Sequence, residues 1–143
     1  MSGDCVVDAS VGIKLFVAEE LSERADRLFG RLAASPPARF YVPDLFYVEC
    51  ANILWKYVRR FGYPPANARQ DVADLGALAL TPVPAAGLLQ PALELALDYG
   101  LTVYDACYAG LARELDLPLV TADAGLARQL AGSGVQVKML HEL

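Results

Sequence analysis

Asp8, Glu49, Asp105 and Asp123 stand far apart in a chain of 143 residues, and each lies beside apolar sequence. A carboxylate in such surroundings is costly unless something compensates it. Competing catalytic chemistries are thinly represented. The one histidine, His141, has no partner for a serine or cysteine triad. Cys5, Cys50 and Cys107 form no Cys-x-x-Cys pair, so neither a disulfide framework nor a thiolate zinc site is expected. They read as small buried hydrophobes in a reducing compartment. Four carboxylates in one pocket would repel each other unless cations bind. Donors that are all oxygen favour Mg²⁺ or Mn²⁺ over zinc. Such a site orients a water, lowers its pKa and stabilises charge on a phosphoryl group during in-line displacement.

Singly, each acid has a plainer reading. Asp8 or Ser10 could cap a helix beginning near Val11, and Asp123 could cap the last helix. Asp105 falls at a helix start, where a negative charge suits the dipole. Glu49 shares a narrow helical arc with Asn52, Lys56 and Arg60, which could be a solvated stripe with its bases at the C-terminal end. The arrangement of the elements has to separate the two readings.

Cys5–Asp8 reads as a short buried strand ending in an acid, followed by helices over Val11–Ala18 and Leu21–Ala34, with Ser22 starting the second. Phe40–Val42 is a strand, and Pro43-Asp44 opens a long helix to about Phe61. A helix over Ala66–Ala79 precedes a strand at Leu80–Val83. Pro91 and Gly100 bracket the next helix. A helix at Tyr104–Leu115 stops before Pro118, and Leu119–Thr121 is a strand. A helix over Ala124–Ala131 and a strand over Val135–Leu140 complete the chain. Short apolar strands alternating with helices indicate an α/β fold with a parallel sheet covered on both faces. Ligands in such folds bind outside the carboxyl ends of the strands. All four acids map to that edge.

The length suits one domain, 1–143, with a core of its own. No secretory signal and no membrane-spanning run is expected, which points to the cytoplasm. The net charge of −5 disfavours a nucleic-acid partner at first sight, but setting the four acids aside leaves a nearly neutral surface, and bound cations invert the sign at the site. Lys14, Arg59, Arg60 and Arg69 are candidate phosphate contacts. The long helix is too widely apolar for one core to cover, so Tyr47, Leu54, Trp55 and Val58 are candidates for contact with a second subunit.

Four stretches then fall into a pattern: Val7-Asp8-Ala9-Ser10-Val11, Pro43-x5-Glu49-x2-Asn52, Tyr104-Asp105-Ala106 and Leu119-Val120-Thr121-Ala122-Asp123. In order and spacing they resemble the PIN-domain ribonucleases, in particular the VapC-type toxins of toxin–antitoxin modules. The resemblance implies a three-layer α/β/α fold with a short parallel central sheet. It implies Asp8, Glu49, Asp105 and Asp123 as an acidic quartet holding Mg²⁺ or Mn²⁺, Asp123 directly or through water. Ser10, Asn52 and Thr121 would be polar supports around the metal. The function implied is endoribonuclease activity on an RNA substrate, in a homodimer whose cognate VapB-like antitoxin wraps the toxin and obstructs its site.

Two other classes compete. An aspartyl-phosphate phosphoryl-transfer domain would use Asp8, but a dehalogenase-like phosphatase wants a second acid where Ser10 stands. A phosphoacceptor signalling domain could use Thr121 and Lys138, yet it leaves Glu49 without a role. A PIN-like RNA- or protein-binding module without catalysis would not need the intact quartet.

Overall fold

A computed structural model describes residues 3–143. Five strands, β1 (Cys5–Val7), β2 (Phe40–Pro43), β3 (Thr81–Val83), β4 (Leu119–Thr121) and β5 (Val137–Met139), form one sheet in the order β3-β2-β1-β4-β5. Every neighbouring pair is parallel. Burial decides the order: all residues of β1 and β4 are buried, whereas β3 exposes Thr81 and Pro82. A proline, which donates nothing to a ladder, belongs on such an edge.

α1 (Ala9–Gly12), α2 (Ser22–Phe29), α3 (Leu45–Phe61) and α4 (Pro65–Ala77) lie on the connections that carry the chain outward from β1 to β3. α5 (Leu89–Tyr99) and α6 (Val103–Leu115) bring it back to β4, and α7 (Ala124–Gln129) leads on to β5. Right-handed crossovers running in opposite directions put these two sets on opposite faces, which makes the three layers. The strand order reverses between β1 and β4, so the crevice for a ligand opens at their carboxyl ends.

Two packing features place the helices that carry acids. α6 is buried from Ala106 to Ala112, and its small residues Ala106, Cys107, Ala109 and Gly110 let it lie close to the sheet and to α5. Gly12 ends α1 against Phe46 of α3, where a Cβ would stand 2.6 Å from Phe46 Cζ. Glycine there allows the start of α3 to close on the end of β1.

The element order matches the sequence reading, with differences at the ends. The helix expected over Val11–Ala18 is the single turn of α1 followed by a 3₁₀ turn at Ile13–Leu15. The β-branched Val11, Ile13 and Val17 favour no long helix, and all three are buried. The helix expected over Leu21–Ala34 changes to a 3₁₀ turn at Gly30. Ser22 is its first helical residue; its hydroxyl accepts from the Glu19 amide at 3.0 Å and tightens the preceding turn. Leu54, expected at a subunit contact, is core instead: it is 1% exposed and packs with Ile13 and Val17.

Candidate active site

The β1–β4 ladder builds the centre of the site. Val6 pairs with Leu119 and Val7 with Val120, so the next step brings Asp8 level with Thr121. Thr121 Oγ1 donates to Asp8 Oδ2 at 2.8 Å. α1 starts immediately, and its first turn returns Ser10 Oγ to the same oxygen at 2.9 Å. Each hydroxyl is aimed by an amide behind it: Ala122 N donates to Ser10 Oγ at 3.0 Å and Asp123 N to Thr121 Oγ1 at 3.0 Å. Asp8 occupies the cap position of α1, yet its side chain makes no cap hydrogen bond. A carboxylate only 6% exposed is thus held by two hydroxyls that the fold has oriented for it.

The other acids approach from three elements. Glu49 lies one helical turn into α3, half-buried, and accepts from Tyr108 Oη of α6 at 2.6 Å. Asp105 is in the first turn of α6, where its amide donates to the capping Thr102 Oγ1 at 3.1 Å. Asp123 is exposed and does cap α7, its Oδ1 accepting from Gly125 N at 2.9 Å and Leu126 N at 3.2 Å. Both bonds fall on Oδ1, so capping occupies one of its two oxygens. Asn52 is exposed on α3 and makes no hydrogen bond to the acids among the described residues.

The four carboxyl groups share one field. Burial raises the Asp8 pKa, Thr121 and Ser10 oppose that, and the charge of Asp123 adds to it. Burial also raises Glu49; Tyr108 lowers it, and Asp8 and Asp105 push it up again. Asp105 is pushed up to about 6 by burial and by the charges of Asp8 and Asp123. No compensating base is present: the ion pairs among the described residues are Lys14–Glu19 and His141–Glu142. As the side chains stand, no three of the described His, Cys, Asp and Glu groups are gathered closely enough to hold one ion. In residue type, mutual field and lack of a counter-charge, the acids fit a hard divalent cation.

The PIN domain family model matches residues 5–130, a stretch that contains all four acids. The chain belongs to the PIN domain family. It is 39% identical over 126 residues to Ribonuclease VapC3 of Pyrobaculum aerophilum, covering 87% of this chain and 92% of that protein. It is 35% identical over 89 residues to Ribonuclease VapC9 of Mycobacterium tuberculosis, covering 62% and 68% of the two chains. Among solved structures, PAE2754 from Pyrobaculum aerophilum superposes with a TM-score of 0.67 at 25% identity, over 99% of this chain and 94% of that one. VapBC2 from Rickettsia felis, bound to a DNA fragment from its promoter, matches at a TM-score of 0.66 and 11% identity, over 95% of this chain and 98% of that one, which shows the shared fold.

In this PIN domain the sequence reading missed Tyr108. It stands three residues after Asp105 on α6, and that i, i+3 spacing puts both side chains on one helix face. The spacing was the available signal; an interior aromatic reads first as core. One other expectation needs adjustment, and one rival reading loses a residue it needs. Lys14 is paired with Glu19 at 3.3 Å and mostly buried, so it offers little to a phosphate. Lys138, which a phosphoacceptor reading requires, lines a cavity with Gly3, Asp4, Asp116 and Gln136 that includes none of the four acids.

Proposed function

We propose that this PIN domain is a divalent-metal-dependent endoribonuclease and the toxin of a toxin–antitoxin pair. One observation carries the reading: acids that raise one another's pKa, with no basic partner among the described residues, lie toward the crevice where the sheet order reverses. Asp8, Glu49, Asp105 and Asp123 would hold Mg²⁺ or Mn²⁺. When bound, the metal activates water and offsets charge on a phosphodiester. Ser10 and Thr121 keep the Asp8 carboxylate oriented and favour its charged form against its burial. The chain's own contribution is a set of carboxylate oxygens at the carboxyl edge of the sheet, with Asp8 held in place by Ser10 and Thr121. The ribonuclease names of its relatives support RNA as the substrate.

Toxin–antitoxin complexes among its structural neighbours support a cognate antitoxin for this chain. A homodimer is consistent with Trp55, Phe61 and Val72 exposed on α3 and α4 and with Leu89, Leu93 and Leu97 exposed along α5. The reading takes residues 1–143 as one domain acting in the cytoplasm. No helix among the described residues is long and apolar enough to cross a membrane.

The test is cleavage of RNA with Mg²⁺ or Mn²⁺, with zinc, and with chelator. Hydrolysis by water leaves 5′-phosphate and 3′-hydroxyl ends. Cleavage should require Mg²⁺ or Mn²⁺ and vanish in EDTA. Cyclic phosphate ends formed in EDTA would mean attack by the 2′-hydroxyl and overturn the proposal.

A further inference from the structure

Tyr108 is a bulky phenol with no exposed surface, and its hydroxyl has one hydrogen-bond partner among the described residues, Glu49 Oε1 at 2.6 Å. A carboxylate oxygen can only accept, so at this distance the phenol O–H is the donor. The bond joins two elements the chain reaches separately, α3 and α6, and α6 also carries Asp105 one turn earlier. Glu49 lies on a helix whose next polar positions, Asn52 and Lys56, are exposed. Without a tether, its flexible side chain would turn toward solvent and away from the like charges of Asp8 and Asp105. A phenol fixed by packing on every side is a rigid anchor for it. A phenylalanine would fill the same volume, so packing alone does not require the hydroxyl.

We propose that Tyr108 is a positioning residue: its hydroxyl holds one Glu49 oxygen so that the other is presented to the acidic cluster as a metal donor. The proposal rests on the metal-dependent reading of the quartet. Tyr108 acts only through Glu49, and that gives it a distinctive signature.

The experiment is a double-mutant cycle on Mn²⁺ affinity, measured by titration calorimetry on the intact chain, with Tyr108→Phe, Glu49→Gln and both together. Residues that orient a metal ligand typically contribute about 10–100-fold to affinity. Tyr108→Phe should therefore weaken Mn²⁺ binding by about tenfold while circular dichroism and the melting cooperativity stay those of the wild type. In the Glu49→Gln background the same change should cost almost nothing. Unchanged Mn²⁺ affinity in Tyr108→Phe overturns the inference, as does an equal loss in both backgrounds, because the hydroxyl would then act independently of Glu49. If Tyr108→Phe fails to fold, Tyr108→Trp in the same cycle removes the phenol with a large aromatic retained, and the same two outcomes decide. A wild type that binds no Mn²⁺ overturns the metal-dependent reading itself, an outcome distinct from either of these.

Discussion

Each acid is set in a different chemical environment. Asp8 is deep and held by hydroxyls, Glu49 is held by a phenol, Asp105 sits beside the capping Thr102, and Asp123 spends one oxygen on a helix cap. Asp105 is raised from 3.8 to about 6 by burial and by Asp8 and Asp123, with the Thr102 hydroxyl opposing the rise. A carboxyl group raised on folding binds protons better in the native state. Its stabilisation is full below 3.8 and is lost as pH rises through about 6. Asp8 and Glu49 are raised too and act in the same direction. In EDTA the protein should accordingly melt at higher temperature near about pH 5 than near about pH 7.5, and Asp105→Asn should flatten part of that slope. Thermal denaturation in the two buffers measures it. A melting temperature that climbs between them, or a slope untouched by Asp105→Asn, would contradict the field assigned to these groups.

The elements were legible in the sequence wherever a period or a stop signal was strong. Pro64-Pro65, Gly100 and Pro118 bracket helices much as expected, since proline and glycine act locally. The misjudged stretch, residues 11–18, is governed by tertiary burial of Val11, Ile13 and Val17, which a local pattern does not record. The faces of α3 show the same limit. Its apolar residues outnumber one core face, but which of them face inward depends on what packs there: Leu54 is buried by α1-side residues, while Trp55 is 54% exposed with the Arg59 guanidinium 5.3 Å from its ring centroid. Because Trp55 is on the surface, Trp55→Glu should fold normally. If α3 forms a subunit contact, the variant should dissociate the dimer by placing an unpaired charge at an apolar interface, weakening association by about 2 kcal/mol or more. Sedimentation of both proteins at matched concentrations gives the answer. A wild-type monomer at micromolar concentration, or a variant that dimerises as tightly, would remove α3 from the interface.

At the scale of the whole molecule, four residues spread over most of the chain are brought to one edge by a strand order that linear sequence does not display. That Asp8 and Asp123 follow strand ends was readable; that β1 and β4 are adjacent, and so that Thr121 meets Asp8, follows only from the sheet. The partners hidden from the sequence were of this kind, Tyr108 for Glu49 across two helices above all. Convergence on one cation is the claim with the most at stake, and Asp8→Asn tests it directly. Asparagine caps a helix about as well as aspartate, so a merely structural Asp8 would tolerate the change. A shared metal site would not. The measurement is thermal denaturation of wild type and Asp8→Asn with and without Mn²⁺, beside RNA cleavage by both. Without metal the variant should melt at the same temperature or higher, because one repelling charge is gone. With Mn²⁺ at about a hundred times its dissociation constant the wild type should gain about 2.7 kcal/mol and the variant far less. Cleavage should fall more than about a hundredfold, beyond what residues one step removed from a metal contribute. Equal stabilisation of both proteins by Mn²⁺, or full metal-dependent cleavage by Asp8→Asn, would show that Asp8 is not a ligand and that the quartet is not one site.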